Sequence, residues 1–87
     1  MFQFSVVIVC KNEEPIIGKT LEALSSFAED VVVFDNGSTD NTIEIVRTFP
    51  VNLIQDKWEG FGKTKNKAIS FAKYDWILGI DGDEMKN

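Results

Sequence analysis

Two aspartates near the C-terminal end of the sequence have the clearest potential for chemistry. Asp81 and Asp83 are separated by Gly82 and follow the apolar segment 76–80. If the chain stays extended there, both carboxylates point the same way, because side chains alternate with a period of two. Such a pair favours a hard cation, and Mg²⁺ or Mn²⁺ is typically held by one or two carboxylates together with substrate phosphates. The spacing therefore predicts a Mg²⁺ or Mn²⁺ site at Asp81 and Asp83 that binds a diphosphate.

The same segment also has a simpler interpretation as a solvated acidic turn. Asp and Gly are common loop residues, and a three-residue carboxylate pattern often arises by chance. Its position after a buried apolar segment favours the metal site. Because the sequence contains no His, a metal would need oxygen ligands, and nucleophile schemes that depend on His are excluded.

A second polar cluster, DNGSTDN, begins at Asp35. A carboxylate or amide at a strand end can bond to a nucleobase or ribose, which is the functional interpretation of Asp35 and Asn36. The cluster is equally good turn and helix-capping chemistry, since residues 38–40 can accept from the free N–H groups of a following helix. We expect Asp35 and Asn36 to face a ligand and residues 38–40 to cap the helix.

Four lysines make one predicted helix basic within an acidic chain. Lys63 and Lys65 lie near the start of that helix, beside a glycine-rich turn where N–H groups and cations can meet an anion or a base. A solvated helix face is the simpler interpretation, and we adopt it for Lys67 and Lys73.

The elements that must position these residues alternate between strand and helix patterns. Four apolar, β-branched segments are typical of strands in a parallel sheet that is covered on both faces. The segments between them have helical spacing or capping residues. The predicted strands are 4–10, 31–34, 51–54 and 76–80, and the helices are a first from Pro15 to Ala28, a second that carries Ile43 and Val46 and stops at Pro50, and a third with Thr64, Ala68, Ile69 and Ala72 on one face.

The order β-α-β-α-β-α-β predicts an α/β fold, a Rossmann-like parallel sheet with helices on both faces and right-handed crossovers. In such a sheet the ligand crevice lies outside the carboxyl ends of the strands. The polar segments that follow the first, second and fourth strands should therefore converge there.

Size and charge limit the remaining possibilities. The 87 residues fit one small domain, and a net charge of -5 argues against a nucleic-acid partner, which needs clustered cations. No apolar run approaches the ~20 residues that span a bilayer, and the N-terminus lacks a secretory pattern. We expect a cytoplasmic protein without a transmembrane segment. Its single cysteine, Cys10, has no internal disulfide partner and is expected to be a buried thiol.

Taken together, these segments resemble family 2 glycosyltransferases of the GT-A fold. The resemblance covers the whole chain in order, and its KNEE and WEGFG segments are most similar to the bacterial branch that adds a hexose to lipopolysaccharide core. It implies that the chain is the N-terminal, nucleotide-binding half of that fold. The segments that carry it are FSVVIVCKNEE, VVVFDNGSTDNT, GFGKTKNKAI and WILGIDGDE.

The resemblance also implies a donor, a nucleoside-diphosphate sugar, with a UDP-sugar first. Lys11 stands where an aromatic residue frequently stacks on uracil, and Asn36 replaces a second aspartate, so the base is less defined than the diphosphate. The implied roles are Cys10, Lys11 and Glu13 lining the nucleotide pocket, Asp35 and Asn36 on base and ribose, Lys65 beside the base, and Asp81 and Asp83 on ribose, metal and diphosphate.

Inverting members take their general base from a carboxylate well downstream of the DxD segment. We therefore expect residues 1–87 to be a truncated nucleotide-sugar-binding domain that contains no catalytic residue and has no activity alone. The resemblance implies that the full-length protein transfers a sugar to a glycan or lipid-linked acceptor in cell-envelope polysaccharide synthesis, peripherally at the inner membrane.

Two other classes of protein also use a parallel sheet of this kind. A sugar-phosphate nucleotidyltransferase would need a glycine-rich phosphate loop after the first strand, and CKNEE has no glycine. A non-catalytic doubly wound binding or assembly module stays open. An uncovered fourth-strand edge also predicts a homo-oligomer, through self-association or strand exchange.

Overall fold

The computed structural model describes residues 3–26, 28–74 and 76–81, within which four strands alternate with three helices. The predicted order of elements is confirmed. The elements are β1 Ser5–Cys10, α1 Glu14–Ser25, β2 Asp30–Asp35, α2 Thr42–Val46, β3 Asn52–Gln55, α3 Phe61–Ile69 and β4 Ile77–Asp81.

All strand pairs are parallel, and the strands lie in the order β3-β2-β1-β4. The chain moves from β1 through β2 to β3 in one direction, and β4 then lies on the opposite side of β1. The sheet therefore has its topological switch point between β1 and β4, where ligands of such sheets bind. The register pairs Cys10 with Asp35 and Val9 with Asp81, so three carboxyl ends meet at one level. The predicted α/β, Rossmann-like sheet is confirmed.

The core has two layers because alternate residues of β1 and β2 face opposite sides of the sheet. Val6 and Ile8 belong to one apolar cluster with Ile17 and Leu21 of α1. Residues of the other face form a second cluster under α3, which contributes the fully buried Ala68. Burying a Val, Ile or Leu side chain in these layers contributes about 1.5–3 kcal/mol, which holds the helices against the two faces of the sheet.

The observed element bounds differ slightly from the predicted ones. The first helix ends at Ser25 instead of Ala28, although the Ala28 N–H still donates to the Leu24 carbonyl at 2.8 Å. The hydroxyls of Ser25 and Ser26 bond back to carbonyls of the preceding turn, which ends the regular helix. Likewise, α3 ends at Ile69, before Ala72.

The amino ends of the strands are tied together by Asp30. Its Oδ2 accepts from the Ser5 hydroxyl at 2.7 Å and from the Lys73 main-chain N–H at 2.8 Å. The Ser5 hydroxyl oxygen in turn accepts from the Tyr74 N–H at 2.9 Å. This network attaches the segment before β4 to β1 and β2. None of the helices in the described part of the chain is long and apolar enough to cross a membrane.

Candidate functional site

Asp35, the last residue of β2, is fully buried and holds the turn that follows it. Its carboxylate accepts from the main-chain N–H groups of Gly37 at 3.0 Å and Ser38 at 2.8 Å, and also from the Ser38 hydroxyl. Gly37 has a φ of 100°, a conformation that favours glycine. Within the structure Asp35 therefore organises the loop, and its predicted contact with base or ribose stays a prediction.

Asn36, the other residue predicted to face a ligand at this strand end, directly follows Asp35. Its main-chain N–H donates to the Cys10 carbonyl at 2.9 Å, which continues the pairing of β1 and β2 by one step. Its side-chain Oδ1 is buried and has no hydrogen-bond partner within the described residues. An unsatisfied buried acceptor costs about 1–3 kcal/mol, which a donor from a ligand or water would recover.

The loops that follow β1 and β2 are interlocked through Asn12. Its Oδ1 accepts from the N–H of Thr39 at 2.7 Å and of Asp40 at 3.4 Å, and its own N–H donates to the Ser38 hydroxyl oxygen at 2.8 Å. Asn12 has a φ of 53°, in the left-handed region that Asn tolerates better than most residues. Asn12 was not among the predicted site residues, although its position directly after Cys10 and Lys11 at the end of the first strand was a signal for it.

The two helices that follow these loops cap each other. Asp40 accepts from the Thr42 N–H at 2.9 Å, at the start of α2, and from the Glu14 N–H at 3.3 Å, at the start of α1. The Glu14 carboxylate accepts from the Asn41 N–H at 3.0 Å. The bond from the Thr42 hydroxyl is the main cause that lowers the pKa of Asp40. Asp40 thus fulfils the predicted capping of α2, whereas the Ser38 hydroxyl serves the loops described above.

Glu13 and Lys11 lie on this same first loop. Glu13 is 3% exposed, and its carbonyl accepts from the N–H groups of Ile16 at 3.0 Å and Ile17 at 2.8 Å, which starts α1. Lys11 is exposed. The structure brings both residues to the carboxyl end of β1, where the sequence placed them, and their contact with a nucleotide stays a prediction.

Cys10 is a buried free thiol, as expected from the sequence. It belongs to the core cluster with Ile17 and Leu21, and its Sγ lies 3.7 Å from Oδ1 of Asp35. Burial, reinforced by the Asp35 charge, raises the pKa of Cys10 from 9.0 to about 12. The thiol therefore stays protonated at neutral pH and is a poor nucleophile.

The loop that follows β3 is braced against α3. Its Asp56 N–H donates to the Asp35 carbonyl at 3.0 Å, and the Thr64 hydroxyl accepts from the Glu59 N–H at 2.9 Å. Lys67 forms an ion pair with Asp56 and lies 3.7 Å from Glu59. Lys67 is exposed, as its interpretation as part of a solvated face expects, and it also lies within reach of two acidic side chains eight and eleven residues before it. The bond to Asp56 raises the pKa of Lys67 and lowers that of Asp56.

Lys65 lies across β4. A Cβ placed on Gly79 would lie 3.0 Å from Lys65 Cε and 3.2 Å from Nζ, so the lysine side chain occupies the space above that glycine. Asp81 ends β4 two residues later and pairs with Val9. The predicted site residues from 10 to 36, Lys65 and the main chain of Asp81 therefore all lie toward the carboxyl edge of the sheet.

The metal prediction lies largely outside the described residues. Asp83 and the side chain of Asp81 are not described, and the rest of the described chain holds no group of three or more Asp, Glu, His or Cys placed for a metal ion. The residue types at positions 81 and 83 fit the predicted metal, because carboxylate oxygens are suitable ligands for Mg²⁺ and Mn²⁺.

A parallel sheet with polar loops gathered at its switch point defines the doubly wound class of α/β protein, in which ligands bind at that point. Comparison with known families specifies that class further. The model of glycosyl transferase family 2 matches residues 5–85, and the chain belongs to that family. The family predicted from the sequence is confirmed.

Two curated relatives illustrate the match. A glycosyltransferase of Rickettsia typhi is 37% identical over 84 residues, which cover 97% of this chain and 29% of the relative. The lipopolysaccharide core biosynthesis glycosyltransferase LpsC of Rhizobium meliloti is 35% identical over 85 residues, 92% of this chain and 31% of the relative. The chain thus spans about a third of the length of these relatives.

Solved structures confirm the GT-A fold. The glucosyl-3-phosphoglycerate synthase of Mycobacterium tuberculosis superposes with a TM-score of 0.81 at 22% identity, over 93% of this chain and 34% of the synthase. A complex of that enzyme with Mn²⁺, UDP and glucosyl-3-phosphoglycerate gives a TM-score of 0.79, over 92% of this chain and 33% of the other. At this identity the likeness shows the fold alone.

Proposed function

We propose that these 87 residues form the nucleotide-sugar-binding part of an inverting glycosyltransferase. The observation that carries the proposal is the meeting of the polar ends of β1, β2 and β4 at the switch point of the sheet. The proposed donor is a nucleoside-diphosphate sugar, with UDP as the first nucleotide to test. Family membership supports the transferase chemistry, and the bound UDP in the mycobacterial synthase complex supports the choice of nucleotide.

The proposed recognition of the nucleoside centres on the loop after β2. The buried Oδ1 of Asn36 is an acceptor suited to a ribose hydroxyl or a base N–H. Asp35 supports this role, because its carboxylate holds the turn that follows Asn36 and thereby fixes the main chain of Asn36. In this proposal Cys10 contributes a neutral thiol beside Asp35, and Lys11 and Glu13 approach the nucleotide from the loop after β1.

Asp81 and Asp83 are the residues that would hold Mg²⁺ or Mn²⁺. The metal supplies charge neutralisation of the departing diphosphate, the role of a Lewis acid in such displacements. The all-oxygen donor set fits this ion, and the names of the mycobacterial complexes include both Mn²⁺ and Mg²⁺ with UDP.

For the full-length protein we propose transfer to a glycan or lipid-linked acceptor in cell-envelope polysaccharide synthesis. The name of the LpsC relative supports this assignment. We place the protein in the cytoplasm, peripherally at the inner membrane. Inverting transfer needs a general base that removes the acceptor proton as the hydroxyl attacks. We propose that this base lies outside residues 1–87, and that these residues alone bind donor without transferring sugar.

We also propose that the isolated chain self-associates through β4. Among the described residues this strand pairs with β1 alone, and Trp76, just before the strand, and Leu78 within it are 68% and 47% exposed. An unpaired edge with apolar side chains favours pairing between copies. Sedimentation equilibrium should show dimers that Leu78→Lys weakens, and a chain that is monomeric at high concentration would contradict the proposal.

Titration of UDP with and without Mn²⁺ tests the proposed function. Wild-type chain should bind UDP only with the metal, and Asp83→Asn should weaken that binding by about tenfold or more, since it removes one ligand charge. Glu44→Gln is the matched control, because it removes one negative charge from an exposed site on α2 and should change nothing. Folded wild-type chain that binds no UDP, or binds it equally without metal, would contradict the proposal.

A further inference from the structure

Gly79 and Lys65 share one space on the surface of β4. A Cβ on Gly79 would meet Lys65 Cε at 3.0 Å and Nζ at 3.2 Å, closer than ordinary van der Waals contact. We propose that Gly79 is a positioning residue, whose missing side chain lets the Lys65 ammonium lie along β4 and bond to an oxygen of the bound nucleotide. The inference rests on the proposed function and deepens it.

The backbone at this position does not itself require glycine. Gly37 and Gly60 have φ values of 100° and 96°, whereas Gly79 is not among the residues with positive φ. Glycine inside a strand costs roughly 0.5–1 kcal/mol relative to alanine. Because Gly79 has no side chain, the space beside it is available, and the end of the Lys65 side chain occupies that space.

The location makes that space relevant to the nucleotide. Gly79 pairs with Val7 and Asp81 pairs with Val9, so about 6–7 Å of strand separates the lysine contact from the proposed metal ligand. Lys65 is half-buried, which limits the competition of water for its ammonium. A compact ammonium beside Gly79, two residues before the end of β4, suits either a phosphate oxygen or a base carbonyl.

An effect of Gly79→Ala on nucleotide binding can be distinguished from an effect on folding. The atoms nearest to the added Cβ belong to the far end of a flexible side chain, which can move away at little cost. Gly79→Ala should therefore keep the sheet intact and displace Lys65. Any loss of nucleotide affinity would then depend on Lys65, and a double-mutant cycle detects this dependence.

The experiment compares wild-type chain, Gly79→Ala, Lys65→Ala and the double variant in UDP titrations with Mn²⁺, after circular dichroism has verified folding. Each single substitution should weaken UDP binding by about tenfold or more, as expected for a charge-assisted hydrogen bond. The double variant should bind no more weakly than Lys65→Ala. Gly18→Ala on α1 is the matched control, since it adds the same methyl group 3.4 Å from Cγ2 of Ile45 on α2, and it should leave UDP affinity unchanged.

Parallel titrations with uridine distinguish the two oxygens. Equal losses for uridine and UDP in Gly79→Ala would support contact with the base, and a loss confined to UDP would support contact with the diphosphate. An unchanged affinity in Gly79→Ala, or equal losses in the presence and absence of the lysine side chain, would overturn the inference while wild-type UDP binding still supported the proposed function. Folded wild-type chain that binds no UDP would overturn both.

Acetylation of lysines in wild-type chain provides a test that needs no variant. The half-buried Lys65 amine should react more slowly than exposed Lys63. UDP with Mn²⁺ should slow Lys65 further by several-fold and leave the rate at Lys73, beyond the C-terminal end of α3, unchanged. Metal-dependent UDP binding without this added protection of Lys65 would also overturn the inference.

Discussion

The two ends of β2 carry similar aspartates with different surroundings. Asp30 at the amino end and Asp35 at the carboxyl end each accept hydrogen bonds from the main chain of a following segment. At the Asp30 end, the carboxylate accepts from the Ser5 hydroxyl and the Lys73 N–H, and the Ser5 hydroxyl oxygen accepts from the Tyr74 N–H. At the Asp35 end, the adjacent Asn36 keeps a buried acceptor without a partner among the described residues.

The difference shows that a buried carboxylate at a strand end is not by itself evidence of a ligand site. Asp30 and Asp35 both stabilise loops, and what distinguishes the Asp35 end is its place at the switch point of the sheet. That end also contains backbone at positive φ, at Asn12 and Gly37. The predictions below test whether the two ends differ as this comparison requires.

The largest expected effect is on stability at the carboxyl end. Asp35→Ala should lower the free energy of unfolding by about 3 kcal/mol or more, because it removes a fully buried carboxylate that accepts from two main-chain N–H groups of the partly buried turn. Asp30→Ala, at a half-buried site, should cost about 1–2 kcal/mol. Urea unfolding measures both values. An equal or larger loss for Asp30→Ala would remove the structural contrast between the two ends.

A second effect should appear at alkaline pH. Because burial and Asp35 raise the pKa of Cys10 from 9.0 to about 12, the folded thiol holds its proton more tightly than the unfolded one. Its contribution to stability is therefore complete below about pH 9 and is lost as the pH rises toward 12. Unfolding measured at pH 8 and pH 10 should show a smaller alkaline loss for Cys10→Ala than for wild-type chain. Equal losses would contradict a buried, protonated thiol.

The smallest effect concerns the interlock between the loops. Asn12→Ala should lower the free energy of unfolding by about 1–2 kcal/mol, since it removes the acceptor for two N–H groups. Alanine also tolerates a φ of 53° less well than Asn does. Asn12→Gly removes the same amide but relieves the backbone, so it should be the milder change. If Asn12→Gly proved more damaging than Asn12→Ala, the left-handed conformation would not contribute as described.

The strand ends could be predicted from the sequence because each follows a continuous apolar segment. Such a segment fixes where a buried strand stops, and parallel packing brings the polar residues after it to one edge. That is why Cys10, Asp35 and Asp81 were correctly assigned to that edge. The family resemblance was also available from these segments, and the matched family model spans nearly the same residues.

The contacts within the site could not be predicted in the same way. Asn12 and Ser38 are 26 residues apart, and Glu14 and Asn41 are 27 apart, so their bonds depend on the register of β1 with β2. The contact of Lys65 with Gly79 similarly depends on how α3 crosses the sheet. A single sequence gives the elements but not their register, and these side chains meet only once it is set.

The most direct test of the central claim is to follow the main-chain amides of ¹⁵N-labelled chain while UDP is added with Mg²⁺. Binding at the carboxyl end predicts that the signals of Lys11, Asn36 and Gly37 shift, while those of Lys73 and Tyr74 at the amino end stay in place. Shifts at the amino end alone, or no shifts in a folded chain, would contradict a nucleotide site at the carboxyl edge of this sheet.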